Sequence, residues 1–161
     1  MFKNGWFLEG TARWSEYAIR QGVGRAGGLP SSQSDLETLF GMRYDASAVW
    51  CAMAALTDSR GKLTIPRELR AVTYAGTRTR VIQDDILLGT RFMKEVLEAL
   101  DAQDDLASKD FGLGSFAWKE IHQGDKRNNK YIWRAVIDVA KRHQRRSVPL
   151  RRMVSTLGNV D

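Results

Sequence analysis

Two stretches of this chain repeat apolar residues at the spacing of an α-helix, and they carry opposite charge. In Thr90–Ala102, Phe92, Met93, Val96, Leu97 and Leu100 share one side, while Lys94, Glu95, Glu98 and Asp101 share the other. In Tyr131–Gln144, Ile132, Ala135, Val136 and Val139 form the apolar stripe, and Arg134, Lys141, Arg142 and Arg145 project elsewhere. Asn128 or Asn129 caps the second helix. Two such helices need partners to cover their apolar faces, so the chain is expected to be mostly helical.

Shorter segments supply those partners. Residues 12–21 read as a helix. Leu29-Pro-Ser-Ser opens a second over Gln33–Phe40, which Gly41 stops. Asp45 is placed to cap a third over Ala46–Leu56, with Val49, Trp50, Met53 and Leu56 on one face. The helix pair 33–40 and 46–56 has helix-turn-helix spacing. Its second member has no basic residue to present to base edges, so it reads as core. Gly22–Gly28 holds four glycines and reads as a linker. Pro149 marks the tail. The expected division is an N-terminal helical arm and linker over 1–28, a domain over 29–123, and a basic helix with its tail over 124–161.

Strand signals lie between the helices. Asp58-Ser-Arg-Gly-Lys-Leu-Thr-Ile-Pro-Arg-Glu-Leu-Arg70 reads as a tight turn, a strand over Lys62–Ile65 and a helix opened by Pro66 and running to 74. It carries Arg60, Lys62, Arg67 and Arg70 against Asp58 and Glu68. Thr77–Gln83 alternates and is β-branched, so it reads as a strand that adds Arg78 and Arg80. Phe111–Ile121 reads as a glycine turn and a strand. Whether the acidic helix begins at Asp84 or Thr90 stays open.

Charge is segregated along the chain. Residues 119–152 hold eleven Lys/Arg and three Asp/Glu, whereas Asp84–Asp110 holds three basic and eight acidic residues. Asp58–Arg80 is again basic, with six basic and two acidic side chains. Segregation of this kind points to an anionic partner, and double-stranded DNA is the expected one.

Enzyme chemistry finds little to stand on. His122 and His143 have no metal-site spacing with Cys51, and no phosphate-binding loop or nucleophile arrangement is present. Asp84-Asp85 with Glu95 reads as a solvated acidic surface rather than a magnesium site. No catalytic residue, metal or cofactor is expected. Cys51, the one cysteine, sits among apolar residues as a buried thiol and fits a reducing cytoplasm. No segment approaches the length of a signal peptide or a membrane span, so a cytoplasmic protein with no membrane partner is expected.

Two resemblances lead to the same destination. The order helix 46–56, Asp-Ser-Arg-Gly turn, strand 62–65, helix 66–74, helix 90–102 and Gly112-Leu-Gly-Ser-Phe116 is similar to winged helix-turn-helix domains of phage and plasmid replication proteins and GntR-type regulators. It implies an α+β, mostly α fold: a winged-helix core with a small wing sheet and flanking helices. Arg91 and Lys94 would then enter the major groove. Arg60–Arg70 followed by Gly76–Ile82 and Ile86–Leu88 resembles, over about thirty residues, the swapped-hairpin unit of AbrB-type regulators. That resemblance implies a homodimer contacting DNA through Arg60, Lys62, Arg67 and Arg70.

The expected function is a non-enzymatic DNA-binding protein, a phage- or plasmid-type transcription regulator or replication accessory factor. Lys126, Arg127, Lys130, Arg134, Lys141, Arg142, Arg145 and Arg146 are expected to anchor phosphates. Packing of that basic helix on the acidic helix 90–102 is the competing intramolecular role. The rival class is a small interaction protein, such as a phage-borne host inhibitor, that binds an acidic protein partner. Trp6 and Trp14 would supply its docking surface, while Trp50, Trp118 and Trp133 are expected in the core.

Overall fold

The computed structural model describes residues 2, 4–19, 27–57, 69–74, 77–82, 90–110 and 126–159. Among the described residues, six helices form the body: α1 Gly5–Ile19, α2 Gln33–Gly41, α3 Ser47–Thr57, α4 Thr90–Asp110, α5 Asn129–His143 and α6 Val148–Leu157. The backbone over β1 Leu69–Tyr74 and β2 Thr77–Ile82 pairs as an antiparallel hairpin, from Leu69 opposite Ile82 to Tyr74 opposite Thr77.

The two amphipathic helices lie against each other. Glu95 Oε2, early on α4, is 2.8 Å from His143 Nε2 at the end of α5. The hydroxyl of Tyr131, near the start of α5, donates to Asp110 Oδ2 at the end of α4. Contacts at both ends in this order make the pair antiparallel. The facing side of α4 buries Phe92, Val96, Ala99, Leu100, Gln103 and Ala107. The basic helix therefore does pack on the acidic one, and it is buried on most of its circumference: Tyr131, Ile132, Trp133, Ala135, Val136, Ile137, Val139 and Ala140 are all covered.

Trp50 on α3 is the centre of the aromatic core. Its ring stacks on Trp6 at 5.5 Å and meets Phe7 edge-on at 5.8 Å, with Phe92 at 6.2 Å. Phe40 bridges Trp6 and Trp133 at 5.3 and 6.5 Å. Each of these tryptophans satisfies its indole N–H: Trp50 donates to the Trp6 carbonyl, Trp6 to Asn129 Oδ1 and Trp133 to the Leu157 carbonyl. Burial of an indole without such a partner would cost about 1–3 kcal/mol. As α3 is expected to be core, Trp50–Ala55 are buried without a break.

The helix α2 starts as its sequence predicts. Ser32 accepts from Asp35 N, and Asp35 accepts in return from Ser32 N, a capping box. Hydrogen bonds from the Ser31 backbone, the Ser31 hydroxyl and Ser32 hold the Asp35 carboxyl below its ordinary range. Asp45 does not cap α3 directly; it sits in a 3-10 turn, Tyr44–Ala46, ahead of it.

The expected α+β winged helix is overturned. The body is helical throughout, and the stretch 66–74, which had to be the middle helix of the trio, is strand from Leu69 onward. Val72, Thr73 and Tyr74 prefer extended backbone, and they pair with the β-branched run that follows Gly76. The helix expected over 90–102 continues for two further turns to Asp110. The wing around Gly112–Gly114, the strand 62–65, segment 83–89 and Trp118 lie outside the described residues. A further helix, α6, occupies what the sequence reading took as the tail.

Candidate nucleic-acid interface

Among the described residues, cations outside salt bridges concentrate at the elbow between α5 and α6. A 3-10 turn, Gln144–Arg146, ends α5, and Ser147 in extended conformation (φ −144°, ψ 114°) opens α6. Ser147 Oγ accepts from Leu150 N at 3.3 Å. Pro149 falls in the first turn, where a missing N–H leaves no helical bond unmade. Leu150, Met153 and Leu157 form the buried side of α6. The bond from Trp133 Nε1 to the Leu157 carbonyl, 3.0 Å long, folds α6 back beside α5 as an αα-hairpin.

Lys141, Arg142, Arg145, Arg146, Arg151 and Arg152 are all exposed on this hairpin. Residues 139–160 contain no Asp or Glu. Among the described residues, none of these six cations is in a salt bridge. Arg151 Nη1 donates to the Arg145 carbonyl at 3.2 Å, which links the two arms of the elbow. These exposed side chains are available to an anion.

The remaining predicted site residues are distributed differently. Lys126 and Arg127 are exposed at the other end of α5. Lys130 and Arg134 are half-buried and lie over the Tyr131 ring at 5.0 and 5.6 Å, so part of their charge serves the fold. Lys94 is exposed one turn before Glu98, on the face that also exposes Asp101 and Asp105. Arg91 lies in the first turn of α4. Arg70, Arg78 and Arg80 fall on the hairpin strands, opposite Val81, Thr73 and Ala71 respectively. Arg60, Lys62 and Arg67 lie outside the described residues. The structure thus gathers Lys141, Arg142, Arg145 and Arg146, and adds Arg151 and Arg152, which the sequence reading did not select.

Beside α6 runs an apolar groove of about 430 Å³ between Leu29 and Pro30 on one wall and Val148, Pro149 and Met153 on the other, with Arg152 at its edge. The proposed tryptophan docking surface is absent: Trp6 and Trp14 are 0% and 5% exposed, within the core. Cys51 is buried as expected, and burial pushes its thiol up to about 11. Among the described residues, no group of three or more His, Cys, Asp or Glu could hold a metal ion. His143 is engaged by Glu95, and His122 is outside the described residues. Among them too, no helix is long and apolar enough to cross a membrane. No family model, curated protein or solved structure matches the chain.

Proposed function

We propose that this chain is a non-enzymatic DNA-binding protein that holds duplex phosphates on the α5–α6 elbow. The observation that carries the reading is six exposed cations within residues 141–152, with no carboxylate from 139 to 160. Phosphate neutralisation by such a surface releases condensed counterions, and each contact adds about 0.9 to the salt dependence of affinity. Regulation of transcription or assistance to replication is the kind of task this binding would serve.

The test is fluorescence anisotropy of a labelled mixed-sequence duplex at several salt concentrations. Affinity is expected to fall steeply with salt, and Arg145→Ala with Arg146→Ala to lower the slope by about 1.8. Binding that ignores salt, or no binding at low salt, would end the reading.

One observation favours a second reading, a small interaction protein that takes an acidic partner. The groove between Pro30 and Pro149 places apolar surface directly beside Arg152. Salt-sensitive capture of an acidic protein, with duplex DNA left unbound, selects it.

A further inference from the structure

We propose that the outer face of α6 is the sequence-reading surface, with Arg151, Arg152, Ser155 and Thr156 meeting base edges in the major groove. The inference rests on the DNA-binding reading above. It assigns the elbow and the helix different tasks.

Spacing separates the two faces of α6. Leu150, Met153 and Leu157 recur at i, i+3 and i+7 and are buried. Val148, Pro149, Arg151, Arg152, Ser155 and Thr156 are exposed. The ten residues of the helix span about 15 Å, and a major groove about 12 Å wide admits one helix.

Residue type then selects among the helices. Arg reads guanine O6 and N7 in a bidentate fashion, Ser and Thr hydroxyls donate or accept, and an apolar group can meet the thymine methyl. The outer face of α6 offers all three, with Val148 56% exposed at its start. It has no carboxylate to repel phosphate. The exposed face of α4 carries Glu98, Asp101 and Asp105, that of α2 carries Asp35 and Glu37, and α3 is buried nearly all round. Exposed Arg13 on α1 is paired with Glu16.

Placement completes the assignment. Arg145 and Arg146 immediately precede the N-terminus of α6, and Lys141 and Arg142 occupy the last turn of α5. These four can hold the phosphates at the groove edge while the outer face of α6 lies along the groove. The Ser147 cap fixes where α6 starts relative to the anchor.

The experiment enriches duplexes from a random-sequence pool on the full chain. The enriched duplex and a scrambled duplex are then titrated with wild type, with Arg151→Ala/Ser155→Ala, with Arg152→Ala/Thr156→Ala, and with Arg145→Ala/Arg146→Ala. Circular dichroism confirms that each variant is folded. A consensus should emerge, and each α6 double variant should lose roughly tenfold or more of the enriched-over-scrambled preference. The elbow variant should weaken both duplexes alike and keep the preference. Retained preference in the α6 variants, or duplex binding without any consensus, overturns this assignment while leaving the DNA-binding reading intact. Failure of wild type to bind any duplex removes both.

Discussion

Trp50 Nε1 donates to the backbone carbonyl of Trp6 at 2.9 Å while the two indoles stack with planes 13° apart. One side chain thereby fixes both the depth and the roll of α1 against α3. Trp50→Phe keeps an aromatic ring but removes the donor and leaves space. It should cost about 2–3 kcal/mol, read as a lower urea midpoint with an unchanged slope.

The close approach of α1 to α3 depends on Gly10. A Cβ there would lie 2.9 Å from both Ala46 Cβ and Trp50 Nε1. Gly10→Ala should lower stability by about 1–2 kcal/mol even though alanine is the better helix former. Gly41→Ala is the control, because a Cβ at Gly41 meets nothing within 4 Å. It should be neutral or gain about 0.5 kcal/mol, and thermal melts of the two variants should move in opposite directions.

Loss of the Ser147 hydroxyl should be felt at the elbow. Ser147→Ala removes the acceptor for Leu150 N and should cost about 1 kcal/mol. Amide exchange of the first turn of α6 should accelerate, while exchange in the middle of α3 follows only the global change.

Alkaline pH should unfold the protein through two groups. Burial raises Cys51 from its ordinary 9.0 to about 11. Burial and then the hydrogen bond to Asp110 raise Tyr131 from 10.0 to about 12. Both shifts favour the protonated form in the folded state. Their contribution is whole below the ordinary values and is lost as pH climbs through about 11 and about 12. Denaturant midpoints should fall over that window, and Tyr131→Phe should flatten its upper part.

Periodicity made much of the body legible. The acidic and basic helices, the capping box of α2 and the apolar character of α3 all rest on local spacing, which the sequence states directly. The first half of α1 lies outside the helix expected over 12–21, and Gly10 serves a helix crossing that only the tertiary structure reveals. Trp6 looked like a surface residue for the same reason: its partners Asn129, Phe40 and Trp50 are far away in the chain. The signal for α6 is present, in Ser147 one residue ahead of Val148-Pro149 and in Leu150, Met153 and Leu157, but Pro149 reads as marking the tail rather than a helix start. At 69–74 local signals conflicted, and pairing with the adjacent strand 77–82 decided. For the candidate interface, the charges could be counted from the sequence. Which of them stand outside a salt bridge could not, because that depends on how α4 lies along α5, with Glu95 meeting His143 and Asp110 meeting Tyr131.

The bonds from Asn4 and Trp6 to Asn129 join residues 125 and 123 positions apart in the chain. At about 5–20 residues per second, roughly 6–25 s separate the appearance of Trp6 from that of Asn129, 123 positions later. Through that interval the nascent chain carries an aromatic helix whose lid has not yet been translated. A chain arrested before α5 is made would leave Asn4 and Trp6 without Asn129, the residue that later ties α1 to the rest of the fold.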